Sequence, residues 1–287
     1  MAGIRDIELG AGRTILLVVA RADDPALFLG GTILRWSLAG WRVVCVRVTD
    51  DRRDSVGLSE TETIAANAAE FRAAAQALGI SEVIDLGYAT DDLRDVSEIA
   101  LREKIVRQIR THKPYALVSF DPRARHAEDN QDHIKVATAV DEAFHASQLA
   151  LNHPEHRAAG LSPHGCFERW YFGRRVMEAT DVVDVTGVME RKLGAALRQR
   201  TILRAYADQL RRQAATGGWE APMLDAIAAG GDPRPLMEGL LRAGAKAAGQ
   251  RHALEAAEEF RVVRFSGLEG VLAQFGRRRA GCLTFRR

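Results

Sequence analysis

The chain of 287 residues predicts an α/β fold: a mostly parallel, Rossmann-like sheet with helices on both faces and a helical C-terminal segment. Three observations carry that expectation. Short runs rich in Val, Ile and Leu alternate with stretches of helical period through the first half, the pattern of parallel strands joined by right-handed crossovers. The first run ends in the paired carboxylates of Asp23 and Asp24, and such folds keep their sites at the carboxyl ends of strands. From Gly187 to about Gln250 the chain turns to Ala, Arg, Leu and Gln, and the strand-like runs cease.

Taken in order, strands are expected at 14–20, 42–49, 82–86 and 115–120, each short, apolar and bounded by polar or Gly residues. Helices are expected between them at 26–39, 59–78 and 97–111. The second opens with Ser59-x-x-Glu62, a capping-box pattern, and stops at Gly79. Ile64, Ala68, Phe71, Ala75 and Leu78 give it one apolar stripe. A further helix is expected after His133, with extended segments at 169–172 and 182–185. Residues 190–250 read as a helical insertion, broken at Gly217-Gly218, Gly230-Gly231-Asp232-Pro233 and Pro235, and packed on the core of a single 1–287 domain. The tail, with Arg277-Arg278-Arg279 and Arg286-Arg287, reads as a solvated end.

Composition narrows the partners. An apolar fraction of 47% and a charged fraction of 27% are those of a soluble globular protein. A net charge of +2 gives no general reason to expect nucleic acid or a membrane. Cys45, Cys166 and Cys282 form no CxxC pair, which argues against a disulfide framework and a thiolate zinc site. No signal peptide, membrane-spanning run or P-loop is visible. The expectation is a cytoplasmic protein with a small-molecule substrate or ligand, homo-oligomerisation being left open.

The loop after the fourth expected strand, from Asp121 to His133, also carries acids and histidines. In a doubly wound sheet it can converge with the Asp23-Asp24 loop on one crevice. Carboxylates and imidazoles meeting there suit zinc or a similar ion with an activated water. A structural alternative stands beside this. Asp24 before Pro25 is a favoured helix start, and Gly30-Gly31 permits close helix–sheet packing.

Five segments in order resemble the PIG-L/LmbE-like zinc-dependent N-deacetylases, which remove acetyl groups from amino sugars and related amides. Ala20-Arg21-Ala22-Asp23-Asp24…Gly30-Gly31-Thr32 resembles the family's Ala-His-Pro-Asp-Asp-Glu…Gly-Gly-Thr. Glu70…Leu78-Gly79 with Leu86-Gly87-Tyr88, and Asp121-Pro122…Asp132-His133, follow its next stretches. Val182-Val183-Asp184-Val185-Thr186 with Arg191-Lys192, and 255–261, resemble its closing ones.

The resemblance implies Asp24 and His133 as metal ligands, Asp23 as the base and Asp132 as the carboxylate that orients a catalytic histidine. It also marks departures. Arg21 stands in place of the third, histidine ligand, and a guanidinium has no lone pair to give. Asn130 replaces a histidine that serves the tetrahedral intermediate. Asn67 stands where an arginine often contacts the sugar, and Thr90 where an aspartate is expected, with Asp91 next to it. Arg21, Asn67 and Asp91 are therefore the expected substrate-binding residues, and Asn130 joins Asp23 and Asp132 as catalytic. His126 lies on the loop that borders His133 and could replace the missing ligand, but a lone loop histidine is more often solvated, and that is the expected reading. Arg21 is expected to lie against Asp23 and Asp24 and to take over part of the metal's charge.

The function implied is a divergent amide hydrolase acting on an N-acylated amino sugar or related small metabolite. Its zinc site is degraded by Arg21 and Asn130. The alternative is a catalytically inactive family member that uses the crevice for binding or assembly.

Overall fold

The structure, a computed structural model, describes residues 2–7, 10 and 12–277. Its strands are β1 (Gly3–Ile4), β2 (Thr14–Val19), β3 (Arg42–Thr49), β4 (Glu82–Tyr88), β5 (Ala116–Phe120), β6 (Glu168–Phe172), β7 (Asp181–Asp184) and β8 (Ala257–Arg264). They form one sheet in the order β1-β7-β8-β6-β5-β2-β3-β4. Only β8 runs antiparallel to its neighbours, β6 and β7. The helices are α1 (Asp24–Leu38), α2 (Glu60–Leu78), α3 (Glu98–His112), α4 (Gln131–Ala146), α5 (Glu155–Ala158), α6 (Met189–Ala196), α7 (Arg200–Thr216), α8 (Pro222–Ala228), α9 (Arg234–Gln250) and α10 (Glu269–Phe275). The mostly parallel α/β fold expected from the alternation is the one observed.

Central strands are buried on both faces, which is why they read as unbroken apolar runs. Ile15 to Val19 of β2 and Val43 to Val46 of β3 are all buried. β2 lies between β3 and β5, so the chain leaves it in opposite directions, and the loops after β2 and β5 part to open a crevice.

The capping box of α2 forms as its spacing predicts: Glu62 N donates to Ser59 Oγ, and Ser59 N donates to Glu62 Oε2 at 2.9 Å. The helix stops at Gly79, whose φ of 78° favours glycine. α1 starts differently from expectation. Asp23, not Asp24, is its N-cap residue, and it makes no side-chain cap bond. The helix also breaks at Leu29 (φ −139°), and the freed amides of Gly31 and Thr32 donate to the buried carboxylate of Glu258 at 2.9 and 2.8 Å. Lys192 Nζ balances that charge at 2.7 Å. A Cβ at Gly31 would come within 2.6 Å of Val185, so the close packing read from the glycine pair is present. Glu258, Lys192 and Gly30-Gly31-Thr32 thus make one buried knot that joins the first helix to the last strand.

β8 escaped the strand reading because Glu258, Glu259, Arg261 and Arg264 interrupt its apolar residues. Its buried charges are paired instead, Arg261 with Asp121 at 2.6 Å. α4 begins before His133 rather than after it, with Asn130 as N-cap. In the helical segment α6 to α9, Leu193, Leu203, Met237 and Leu241 join the main buried cluster, and Ala207, Ile227 and Leu236 form a small one of their own. Cys45 and Cys166 are buried free thiols. Cys282, Arg278, Arg279, Arg286 and Arg287 lie outside the described residues. Among the described residues, no helix is long and apolar enough to cross a membrane.

Candidate active site

The turn that follows β2 is fixed from three directions. The Ala20 carbonyl accepts from the amide and hydroxyl of Thr49 at the end of β3, at 2.9 and 2.8 Å. Ala22 N donates to Asp51 at 3.2 Å, and the Ala22 carbonyl accepts from Gln199 Nε2 at 2.5 Å. Asp51 is itself held by Arg47 at 2.8 Å, and burial pushes its carboxyl well above the usual range.

Within this turn, Asp24 accepts the Arg21 amide at 2.7 Å through Oδ2. Its Oδ1 lies 3.3 Å from His133 Nε2. The other imidazole nitrogen, Nδ1, lies 3.1 Å from Glu128 Oε2. The His133 ring is stacked on Phe120 with centroids 4.1 Å apart and meets Phe28 edge-on. Burial favours the neutral ring, but Asp24 and Glu128 outweigh it and hold the imidazole up at about 9. Neither ring nitrogen makes an aligned hydrogen bond. Asp23 presents a buried Oδ1 that also has no hydrogen-bond partner. Burial, joined by the charges of Asp24 and Asp54, pushes its carboxyl up to about 7 against the pull of Arg21 and His133.

Arg21 does not lie against Asp23 and Asp24 as the sequence suggests. Its Nη1 donates to Asp54 Oδ1 at 2.9 Å and its Nη2 to Asp91 Oδ1 at 2.5 Å, with Asp132 Oδ2 at 3.9 Å. The reason is geometric: the loops after β3 and β4 bring a nearer pair of carboxylates across the crevice. Burial disfavours its charge, yet Asp54 and Asp91 raise its pKa above the ordinary value. Burial likewise pushes Asp54 up to about 6 even against Arg21.

The remaining expected residues are placed as follows. Asp132 is buried, accepts the Asp91 amide at 2.8 Å through Oδ2, and keeps Oδ1 without a partner. Asn130 uses its Oδ1 to cap α4 by accepting from the Asp132 amide at 2.9 Å. Asn67 is buried and donates to the carbonyls of Asp51 and Asp54 at 3.0 and 3.2 Å, bracing the loop after β3. Asp91 spends its carboxylate on Arg21. His126 is exposed on the turn before α4. The structure therefore gathers Arg21, Asp23, Asp24, Asp91, Asp132 and His133 around one crevice and leaves Asn67 and Asn130 bonded to backbone. Asp54 and Glu128 were missed. Nothing local separates Glu128 from Asp129, or Asp54 from Asp50 and Asp51, because their role arises only when loops from different strands meet.

The donor set decides whether zinc suits this crevice. A catalytic zinc takes three protein ligands and an open position. Asp24 and His133 meet here, but the third place holds a guanidinium, already bonded to two carboxylates. His133 Nε2 faces a carboxylate and favours its proton. Among the described residues, the only group of three candidate ligand atoms within 4.8 Å of one another is Glu103, Glu155 and His156. These lie on α3 and α5, which supply no crevice residue, and Arg107 and Arg110 bond to Glu103 and His156 there. The crevice residues do not fit a three-ligand zinc centre. Beside His133 a cavity of about 10 Å³ has room for one water.

Acids and an imidazole gathered at the switch point of a parallel sheet define an α/β protein with a hydrolase-like crevice. Residues 16–144, which include all of these crevice residues, match the family described as PIG-L: GlcNAc-PI de-N-acetylase. It is 28% identical over 188 residues to the diacetylchitobiose deacetylase of Thermococcus kodakarensis, covering 64% of this chain and 67% of that protein. The fold matches that of the N,N'-diacetylchitobiose deacetylase from Pyrococcus horikoshii with a TM-score of 0.72 at 21% identity, over 94% of this chain and 90% of that one. It also matches GalB, the 4-carboxy-2-hydroxymuconate hydratase from Pseudomonas putida, with a TM-score of 0.63 at 17% identity, over 88% and 96%.

Proposed function

We propose that this chain is a deacetylase-type amide hydrolase acting on an N-acylated amino sugar or related small metabolite, with a crevice charged by Arg21 and His133 instead of zinc. The observation that carries this is the unpartnered, buried Oδ1 of Asp23 beside the Asp24–His133 pair, at the place where the family keeps its base. Asp23 takes the proton of the attacking water and returns it to the amine as the C–N bond breaks, and the His133 imidazolium supplies positive charge where the acyl oxygen becomes negative. Arg21, locked by Asp54 and Asp91, fixes the rim of the crevice. The family match and the deacetylases among the relatives support the substrate class.

The test is acetate release from N-acetylglucosamine and N,N'-diacetylchitobiose, with added zinc and with chelator. Expected is release that chelator leaves intact and that Asp23→Asn lowers by roughly 100-fold or more. Release that needs zinc overturns the metal-free crevice while keeping the hydrolase. A second reading, a crevice that binds the sugar without cutting it, is favoured by one observation: the residues in place of both lost histidines are committed, Arg21 to an ion-pair cluster and Asn130 to a helix cap. No release in either condition, with sugar binding retained, selects it. In that case Arg21→His with Asn130→His is expected to raise both zinc affinity and hydrolysis.

A further inference from the structure

A much roomier cavity, about 290 Å³, lies between the loop after β3 and the helical segment. That is close to the lower size of small-molecule sites. Val56 and Leu58 line one side, Ile227 and Pro233 another, and Arg200 and Arg204 of α7 complete it with the Gly230-Gly231 turn. Among the described residues, no acid lines it. Arg204 Nε is anchored on the Ala228 carbonyl at 2.5 Å, so this arginine is held in place. The Arg200 side chain makes no hydrogen bond or ion pair among the described residues. The acid that feels its charge, Glu70, already accepts from the Thr201 amide and hydroxyl at 2.8 and 3.0 Å.

The cavity is tied to the crevice at two points. The loop after β3 offers Asp54 to Arg21 on the crevice side and Val56 and Leu58 to the cavity. Gln199, directly before Arg200, donates to the carbonyl of Ala22, the residue before Asp23.

We propose that this cavity is a second subsite, which takes an oxyanion, phosphate or carboxylate, carried by the same substrate whose acyl group enters the crevice. Planar guanidiniums match such oxyanions with paired donors, and the apolar sides pack against the carbon skeleton that bears the charge. The helical segment thereby builds the wall that selects an anionic amino sugar over a neutral one. The acyl half of this proposal rests on the deacetylase reading above, and the oxyanion half does not.

Calorimetry with N-acetylglucosamine, N-acetylglucosamine 6-phosphate and N-acetylmuramic acid tests it on the whole chain, with the binding heat read separately from any heat of hydrolysis. Expected is binding of one anionic sugar roughly 10-fold or more tighter than the neutral sugar, as charge-assisted hydrogen bonds provide. The phosphate and carboxylate arms identify which oxyanion is taken. Arg200→Gln with Arg204→Gln is expected to shrink the preference to within about 2-fold, and Arg200→Gln alone, at an exposed position, to weaken it in a chain that keeps its fold. Asp23→Asn is expected to leave the preference unchanged. Equal binding of neutral and anionic sugars, or a preference that survives the double variant, overturns the subsite. An anion preference without any acetate release keeps the subsite and removes the hydrolytic reading; acetate release without a preference does the reverse.

Discussion

The two cations of the crevice are held in opposite ways. Arg21 reaches outward to acids on the loops after β3 and β4, one of which, Asp91, has a half-exposed side chain. His133 is sealed inside, its side chain only 4% exposed, between Asp24 and Glu128. The first is a fixed charge that organises loops; the second is a charge that exists only because its neighbours are anions. Similar ion pairing therefore gives a structural clamp on one side and a titrating centre on the other.

The largest effect expected from this contrast is on stability against pH. The folded pKa of His133, about 9, lies above its ordinary 6.5, so the folded state binds the proton more tightly. The resulting stability is fully present below about pH 6.5 and is lost as pH rises through 9, by about 3 kcal/mol. Asp23, raised from 3.8 to about 7, adds its own fall in stability as pH rises from about 3.8 through 7, below the window of His133. Urea unfolding from pH 4 to 10 checks both: Asp24→Asn should flatten the upper part of the decline and Asp23→Asn the lower. A stability that climbs through pH 6.5 to 9 would show that His133 is not held as an imidazolium.

Arg21→Leu should come next, costing about 2 kcal/mol by stranding Asp54 and Asp132, with the part owed to exposed Asp91 screened by water. Unfolding at pH 8 measures it, and a neutral result would mean that the clamp is ornamental. Asn67→Ala should cost about 1 kcal/mol by freeing the carbonyls of Asp51 and Asp54. Its signature is faster amide exchange confined to 50–58; exchange unchanged there would remove Asn67 from the clamp. Smallest is Arg174→Ala, which loses a surface pair with Asp129 and one with the buried Glu128 carboxylate, which His133 still balances, and should change stability by less than about 0.5 kcal/mol. A larger change would mean that Glu128 depends on Arg174 and not on His133.

The same contrast explains what the sequence made legible. The loops that carry Asp23, Asp24 and His133 could be placed together because strand ends in a parallel sheet have a fixed address, marked by the apolar runs of β2 and β5, while the roles given to these three residues came from the family resemblance. Ser59, Glu62 and Gly79 were readable because a helix cap is local. The true partners of Arg21 were not, since Asp54 and Asp91 lie 33 and 70 residues away and reach it only through tertiary loop placement. Glu128 was hidden among other acids for the same reason. β8 was obscured by its own ion pairs: charges that look like solvent-facing residues are buried opposite Asp121 and Lys192.

One consequence belongs to synthesis on the ribosome. The carboxylate that satisfies the broken turn of α1 lies 227 residues downstream of Gly31. While the chain is growing, the helix that carries Asp24 has two amides with no acceptor until β8 has left the exit tunnel. The nascent crevice should stay protease-sensitive through most of translation and close late. Pulse proteolysis of ribosome-stalled chains that expose residues up to 250 or up to 270 would read that delay, and equal resistance of the two would rule it out.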